Sequence, residues 1–267
     1  MGYLDLYFTF IKLRIMGVAE YRKSFFMGVL AQFFSYASEI LLVWLIMKQF
    51  KSINGWGAYE VTILYTINLG SYALAGFLFF TPCNQISSMV KNGSFDEVLT
   101  KPLNNLLYLI CRDFNTAYIS HLLLSLFVIA YSLNALAIPI DISSIAYIIV
   151  IFLSGALIQA AGLIVTSVPA FWVVENSGIK EIFFFEFKSF VKYPISIYHK
   201  SIQIILTMVL PYAFINFFPV QVLLKKNDYV GFNHSLPYIS PLVGVFCFTI
   251  AYLFWKKGIN NYSSTGS

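Results

Sequence analysis

SIQIILTMVLPYAFINFFPVQVLL, residues 201–224, contains no Asp, Glu, Lys or Arg, yet it carries two prolines and an asparagine. An apolar run of this length can cross a bilayer, because about 20 helical residues span the hydrocarbon core. Pro211 and Pro219 complicate that reading. Each lacks an N–H and leaves the carbonyl four residues earlier without its helical donor. In lipid such groups need protein or a water-lined cavity around them. The stretch is therefore expected to face other helices rather than bulk lipid.

Working outward, Tyr193-Pro194 disfavours a continuing helix, so a break is expected before a span at 199–217. Pro219 suits the first position of a new short helix, where a missing N–H costs nothing. Lys225 and Lys226 would then lie at that helix's negative end. Residues 219–236 are read as an outer short helix and loop.

The rest of the chain has the same character. It is 59% hydrophobic, 18% aromatic and 11% charged, with mean hydropathy +0.76. A soluble domain carries about 25% charged residues. Six apolar runs of span length are read, at 25–50, 61–82, 114–133, 145–174, 199–217 and 237–255. Residues 1–24 interleave apolar positions with Asp5, Lys12, Arg14, Glu20, Arg22 and Lys23, the pattern of a helix lying in the interface. They lack a compact apolar core with a small-residue cleavage site, so no cleaved leader is expected. The expected fold class is an all-α integral membrane protein, one domain over 1–267, with six transmembrane helices and an N-terminal interfacial helix.

Lys and Arg set the orientation. With both termini cytoplasmic, the inner segments hold 13 of these residues and the outer ones 4. The inner set includes Lys180, Lys188, Lys192 and Lys200, because residues 175–200 are read as an inner connection. The net charge of +5 is then a topology signal, and no nucleic-acid partner is expected. The expected location is the cell's inner (plasma) membrane, multi-pass.

Enzyme signatures are missing. The sequence has no GxxxxGK[ST] loop, HExxH, CxxC or GxSxG. Cys83, Cys111 and Cys247 are scattered in apolar surroundings and read as small buried residues. His121, His199 and His234 have no zinc spacing, so no metal site and no catalytic residue is expected. No internal repeat suggests duplicated transporter halves.

One inner connection, 84–104, is more informative. Ile86, Met89 and Val90 share one helical face. Asn92-Gly93 reads as a helix stop, Ser94 as the cap of a second short helix with Asp96 and Glu97 in its first turn, and Pro102 as its end. Two short helices along the cytoplasmic surface are expected, either as a plain connector or as a docking element.

Polar residues inside the spans carry two readings each. Glu39 lies near the middle of the first span, where an ionisable group costs about 2.5–3.5 kcal/mol on insertion scales and usually faces the bundle interior. It reads as a hydrogen-bonded structural group or as a path-lining one, open to a cationic substrate. His121, Gln159 and Asn216 read first as interhelical hydrogen-bonders. Asn216 and Pro211 stay path candidates because of the prolines. Gly155 and Gly162 give the fourth span a close-packing face. Tyr72, Phe77, Phe79 and Phe80 read as packing, with a flat lipophilic ligand as the other use.

GSFDEVLTKPL (93–103), YPISIYHKSIQIILTMVLPYAFINFFPVQVLL (193–224) and GINNYSSTGS (258–267) together resemble the permeases of type-2 ABC exporters. More narrowly, the chain is similar to the branch in which two related six-span permeases assemble with a separate ATPase. Tyr198-His199 departs from the Tyr-Pro favoured there. The resemblance implies that Gly93, Phe95, Asp96, Glu97, Leu99, Lys101 and Pro102 form the coupling element seated on an ABC ATPase. It implies a second permease, identical or paralogous, facing this one in the lipid bilayer. It also implies that ATP and Mg bind the partner ATPase, leaving no cofactor on this chain. The competing reading is an ion-coupled secondary transporter or channel that uses Glu39 and His121 as relay groups.

Overall fold

The computed structural model describes residues 3–50, 52–173, 176–228 and 230–263. Lys51 of the charge count, the boundary residues Val174 and Glu175, and the last four residues of the 258–267 run lie outside the described residues. The described chain is helical, with one isolated bridge between Ile53 and Trp56.

Helix α1, Tyr3–Glu20, precedes α2, Arg22–Gln49. Only Ile40, Val43 and Met47 of α2 are buried, so most of this 28-residue helix faces outward. Helix α3, Ala58–Lys91, is by contrast mostly enclosed. A π turn at Gly76–Phe80 precedes Pro82. The turn fits the proline's missing N–H: the Phe77 carbonyl takes a hydrogen bond from the Asn115 amide instead, at 2.8 Å. Short helices α4, Phe95–Leu99, and α5, Asn105–Asp113, lead to α6, Thr116–Ala135, and α7, Ile142–Val173. Helix α1 packs across α5, with Phe10 edge-on to Tyr108 and Arg14 Nε donating to the Phe114 carbonyl.

Helix α8 covers residues 177–190. It is followed by α9, Lys200–Val209, α10, Tyr212–Leu223, and α11, Leu236–Asn260. Helix α11 runs along α7, and α3 lies between α6 and α7. Gly244 admits this contact: a Cβ there would sit 2.8 Å from the Ser154 carbonyl oxygen. Gly155 does the same for α3, where a Cβ would collide with Ser71 Oγ. These are the close approaches expected of the fourth span.

One end of the bundle carries residues 50–57, the Asn54 end; the other carries 92–104, the Gly93 end. The contacts along 177–226 relocate the fifth crossing. Lys180 Nζ donates to the Cys83 carbonyl and Asn84 Oδ1 near the Gly93 end, at 3.0 and 2.7 Å. The Ser196 carbonyl accepts from Asn54 Nδ2, at the opposite end. Residues 177–198 therefore run from one end to the other, where an inner connection over 175–200 was expected.

The run 199–217 does not cross. Lys200 Nζ donates to the Val230 carbonyl, while Lys226 donates to the Gly55 carbonyl and pairs with Glu60. Both flanks of α9–α10 thus lie at the Asn54 end. Between them the chain bends by 76° near Pro211 and returns, a re-entrant hairpin. At the bend the Leu210 amide donates to the Ile205 carbonyl, and the Tyr212 side chain ties the bend to the fifth crossing, its Oη donating to the Phe183 carbonyl. Among the described residues five helices, α2, α3, α6, α7 and α11, are long and apolar enough to cross a membrane. Residues 177–198, which traverse the bundle end to end, are read as the fifth crossing in chain order.

Local corrections follow the same logic. The helical face Ile86, Met89, Val90 is buried as expected, but it belongs to α3 itself, which continues to Lys91 rather than ending at 82. Gly93, at φ 71°, makes the turn that only glycine adopts freely. Ser94 does not cap α4: it is already in the right-handed helical region, which carries its hydroxyl away from the free amides. Pro219 is the third residue of the regular α turn Phe217–Leu223, not the first of a helix at 219, and that turn is buried rather than at a mouth.

Candidate functional site

Helices α2, α3 and α8 enclose a polar cavity of about 250 Å³. Glu39 comes from α2. Tyr65, Asn68 and Tyr72 come from α3, at the i, i+3, i+7 spacing that places them on one face. Lys188 and Lys192 come from the fifth crossing, one helical turn apart. Glu39 Oε2 accepts from Tyr65 Oη at 2.6 Å and from Lys192 Nζ at 3.2 Å. The ion pair is half-exposed to the cavity, with 36% and 42% of the two side chains accessible.

Lys188 is held differently. Its Nζ lies 3.4 Å above the centre of the Tyr72 ring and 4.7 Å from that of Phe184. A desolvated ammonium over an aromatic face gains about 2 kcal/mol. No hydrogen bond or ion pair to it occurs among the described residues. Glu186 lines the same cavity but is exposed, on its rim.

A second polar cavity, about 390 Å³, lies toward the Gly93 end and includes Asn84, Ser87, Lys91, Lys180 and Glu181. Phe185 lines both cavities. Two polar chambers thus follow α8, with one aromatic side chain between them. A larger cavity, about 610 Å³, is an apolar groove among α2, α3 and α6, lined by Phe33, Trp44 and Phe127 among others. It offers no amine or carboxylate, so charge recognition belongs to the smaller chambers.

Of the path candidates, Glu39 lies in the central cavity. Pro211 sits at the hairpin bend. Asn216 is fully buried and lines none of these chambers. Its Nδ2 donates to the Leu64 and Val191 carbonyls at 2.9 and 2.6 Å, and its Oδ1 accepts from the Phe217 amide at 2.8 Å. With donor and acceptor sides both committed, it ties the hairpin to α3 and to the fifth crossing.

His121 Nε2 bonds Gln32 Oε1 at 3.0 Å, joining α6 to α2, and its ring packs edge-on to Tyr36 and Tyr118. No hydrogen bond links it to Glu39 among the described residues, so the two do not form a direct relay. Gln159 Nε2 donates to the Asn68 backbone and side-chain oxygens, joining α7 to α3.

The 93–102 residues divide into two sets. Phe95 and Val98 are fully buried, with Phe95 edge-on to Phe171 and Tyr262. Phe95 is therefore an anchor holding α4, not a surface another protein could touch. Glu97, Leu99 and Pro102 are exposed. Lys101 pairs with Glu97 at 3.5 Å.

Lys188 and Lys192 were missed as site residues because 177–198 carries too much charge to read as a span. The signal was in the spacing: Glu181, Lys188 and Lys192, seven and four residues apart, form a polar stripe on an otherwise aromatic helix.

Long apolar helices around an internal polar cavity define a polytopic membrane protein. The model of a family described as ABC-2 family transporter protein matches residues 33–266, so the chain belongs to that family and is a membrane permease of an ABC transporter. No curated protein and no solved structure matches it.

Proposed function

We propose that this permease moves its substrate outward along α8, assembled with a second permease and driven by a separate ABC ATPase. The observation that carries the reading is the pair of polar chambers along the fifth crossing, with Phe185 between them. The cations and hydroxyls of that face have no use in bulk lipid but suit a path closed by a second subunit. The exposed length of α2 leaves room for that subunit. Glu97, Leu99, Lys101 and Pro102 are the surface offered to the ATPase at the Gly93 end, held there by the Phe95 anchor. Both termini then lie in the cytoplasm of a cell bounded by this membrane. ATP hydrolysis on the partner would switch the two permeases between inward-open and outward-open arrangements as rigid bodies.

Affinity purification from the native membrane, followed by identification of every co-purifying chain, tests this directly. An ABC ATPase and a second permease should be recovered, and Glu97→Ala with Leu99→Ala should reduce the ATPase while leaving the permease pair intact. Gradient-driven transport by the isolated chain in liposomes without ATP would overturn the reading in favour of a secondary transporter.

A further inference from the structure

We infer that the substrate of this permease carries an anionic group, a carboxylate or phosphate, and that Lys188 is its counter-ion in the central cavity. The inference rests on the permease reading above and specifies the chemistry of the same chamber. Four charged side chains line the cavity. Glu39 and Lys192 neutralise one another across 3.2 Å, and the Tyr65 hydroxyl further occupies the same carboxylate oxygen. Glu186 is on the exposed rim. That leaves Lys188, an ammonium with three donors, whose contacts among the described residues are ring faces.

Ring faces stabilise a cation without using up its hydrogen-bond donors. An arriving anion would therefore gain charge-assisted hydrogen bonds without first displacing a carboxylate from Lys188. A cationic substrate would have to displace Lys192 from Glu39 and then sit beside two ammonium groups. The cavity of about 250 Å³ accommodates a headgroup rather than a whole amphiphile. Apolar parts of a ligand would rest against Phe185, which lines the cavity.

The test uses the full-length chain in a neutral detergent, with binding read by native mass spectrometry. The probes are dodecyl phosphate, dodecanoate, dodecyltrimethylammonium and inorganic phosphate. The two anionic amphiphiles should bind at least about tenfold more tightly than the cationic one, the scale of one charge-assisted hydrogen bond. Lys188→Gln should abolish that preference and Lys188→Arg should keep it. Glu39→Gln should raise anion affinity by releasing Lys192.

Competition by inorganic phosphate would support recognition of the headgroup alone. Its failure alongside bound dodecyl phosphate would support an amphiphile. Equal affinity for both charges, or tighter binding of the cation, overturns the inference in the unaltered protein, whatever the variants do. Persistence of the preference in a monodisperse Lys188→Gln protein overturns the assignment to Lys188. Recovery of the ATPase from the same membranes reports separately: loss of anion preference with the ATPase present sinks this inference alone. Anion preference without any ATPase leaves the site and sinks the coupled-permease reading.

Discussion

Residues 177–198 contain five charged side chains and traverse the bundle, whereas 201–224 contain none and turn back. Hydropathy alone would order the two segments the other way. The difference shows that crossing is decided by where polar groups find partners. In the fifth crossing Lys192 has Glu39, Lys188 has the Tyr72 face, and Lys180 has the Cys83 carbonyl and Asn84. Each cation lies on a face covered by α2 or α3 rather than by lipid. In the hairpin the problem is the backbone. Pro211 interrupts the helix, and the bend is held against the fifth crossing, where Tyr212 Oη donates to the Phe183 carbonyl, rather than left in lipid.

The strongest way to break this comparison is side-specific cysteine labelling in sealed vesicles, on a background with the three native cysteines replaced. Ile197→Cys, exposed at the end of the fifth crossing, Lys226→Cys and Asn54→Cys should all react from one side, and Ser88→Cys from the other. Labelling of Ile197→Cys together with Ser88→Cys would restore the inner connection and remove the re-entrant hairpin.

Next in size is Asn216→Leu. It leaves the Leu64 and Val191 carbonyls buried without their donor and removes the acceptor of the Phe217 amide. A loss of about 2–4 kcal/mol is expected, from roughly 1–3 per orphaned group. Thermal unfolding in detergent measures it. A variant as stable as the parent would show that the hairpin is not tied to the fifth crossing by this side chain.

Gly162→Ala sharpens the comparison where both regions lean on α7. A Cβ there would sit 3.0 Å from the Phe184 ring and from Tyr212 Oη. Phe184 is fully buried and Tyr212 is bonded to the Phe183 carbonyl, so neither yields easily. Overpacking of about 1–3 kcal/mol, offset by up to about 1 for helix propensity, leaves a net loss of about 1 kcal/mol. The same melting assay should resolve it.

The smallest effect belongs to a control remote from both regions. Asp141 caps α7 and its carboxyl is held down at about 2, mainly by hydrogen bonds from Ser144 and then Ser143. Because the folded value lies below the ordinary 3.8, its contribution is complete above 3.8 and is lost as pH falls through about 2. The melting temperature of Asp141→Asn should therefore be slightly low at neutral pH and converge with the parent in that acid window. No convergence there would remove Asp141 from the account of acid stability.

Much of the architecture was legible. Spans α2, α3, α6, α7 and α11 follow from apolar runs that no soluble helix needs, and the buried face Ile86, Met89, Val90 follows from its spacing. Gly93 was readable as a turn because few residues other than glycine take that backbone conformation freely. Ser94 was not readable: a cap depends on the backbone angle of one residue, which composition does not report. Asn216 showed the same limit in the membrane. A polar side chain between prolines looks equally suited to a path or to packing until its three hydrogen bonds are traced.

By itself, the sequence determined that this chain lives in a bilayer and where its most apolar helices run. Those follow from transfer energies that add along a chain. Only the tertiary structure decided which segment makes the fifth crossing, that the 201–224 run is re-entrant, and that Lys188 and Lys192 share a chamber with Glu39. Those outcomes depend on partners distant in sequence: Glu39 lies about 150 residues from Lys192. Whether a charge or a broken helix is tolerated inside a membrane is a property of the pair, not of the residue.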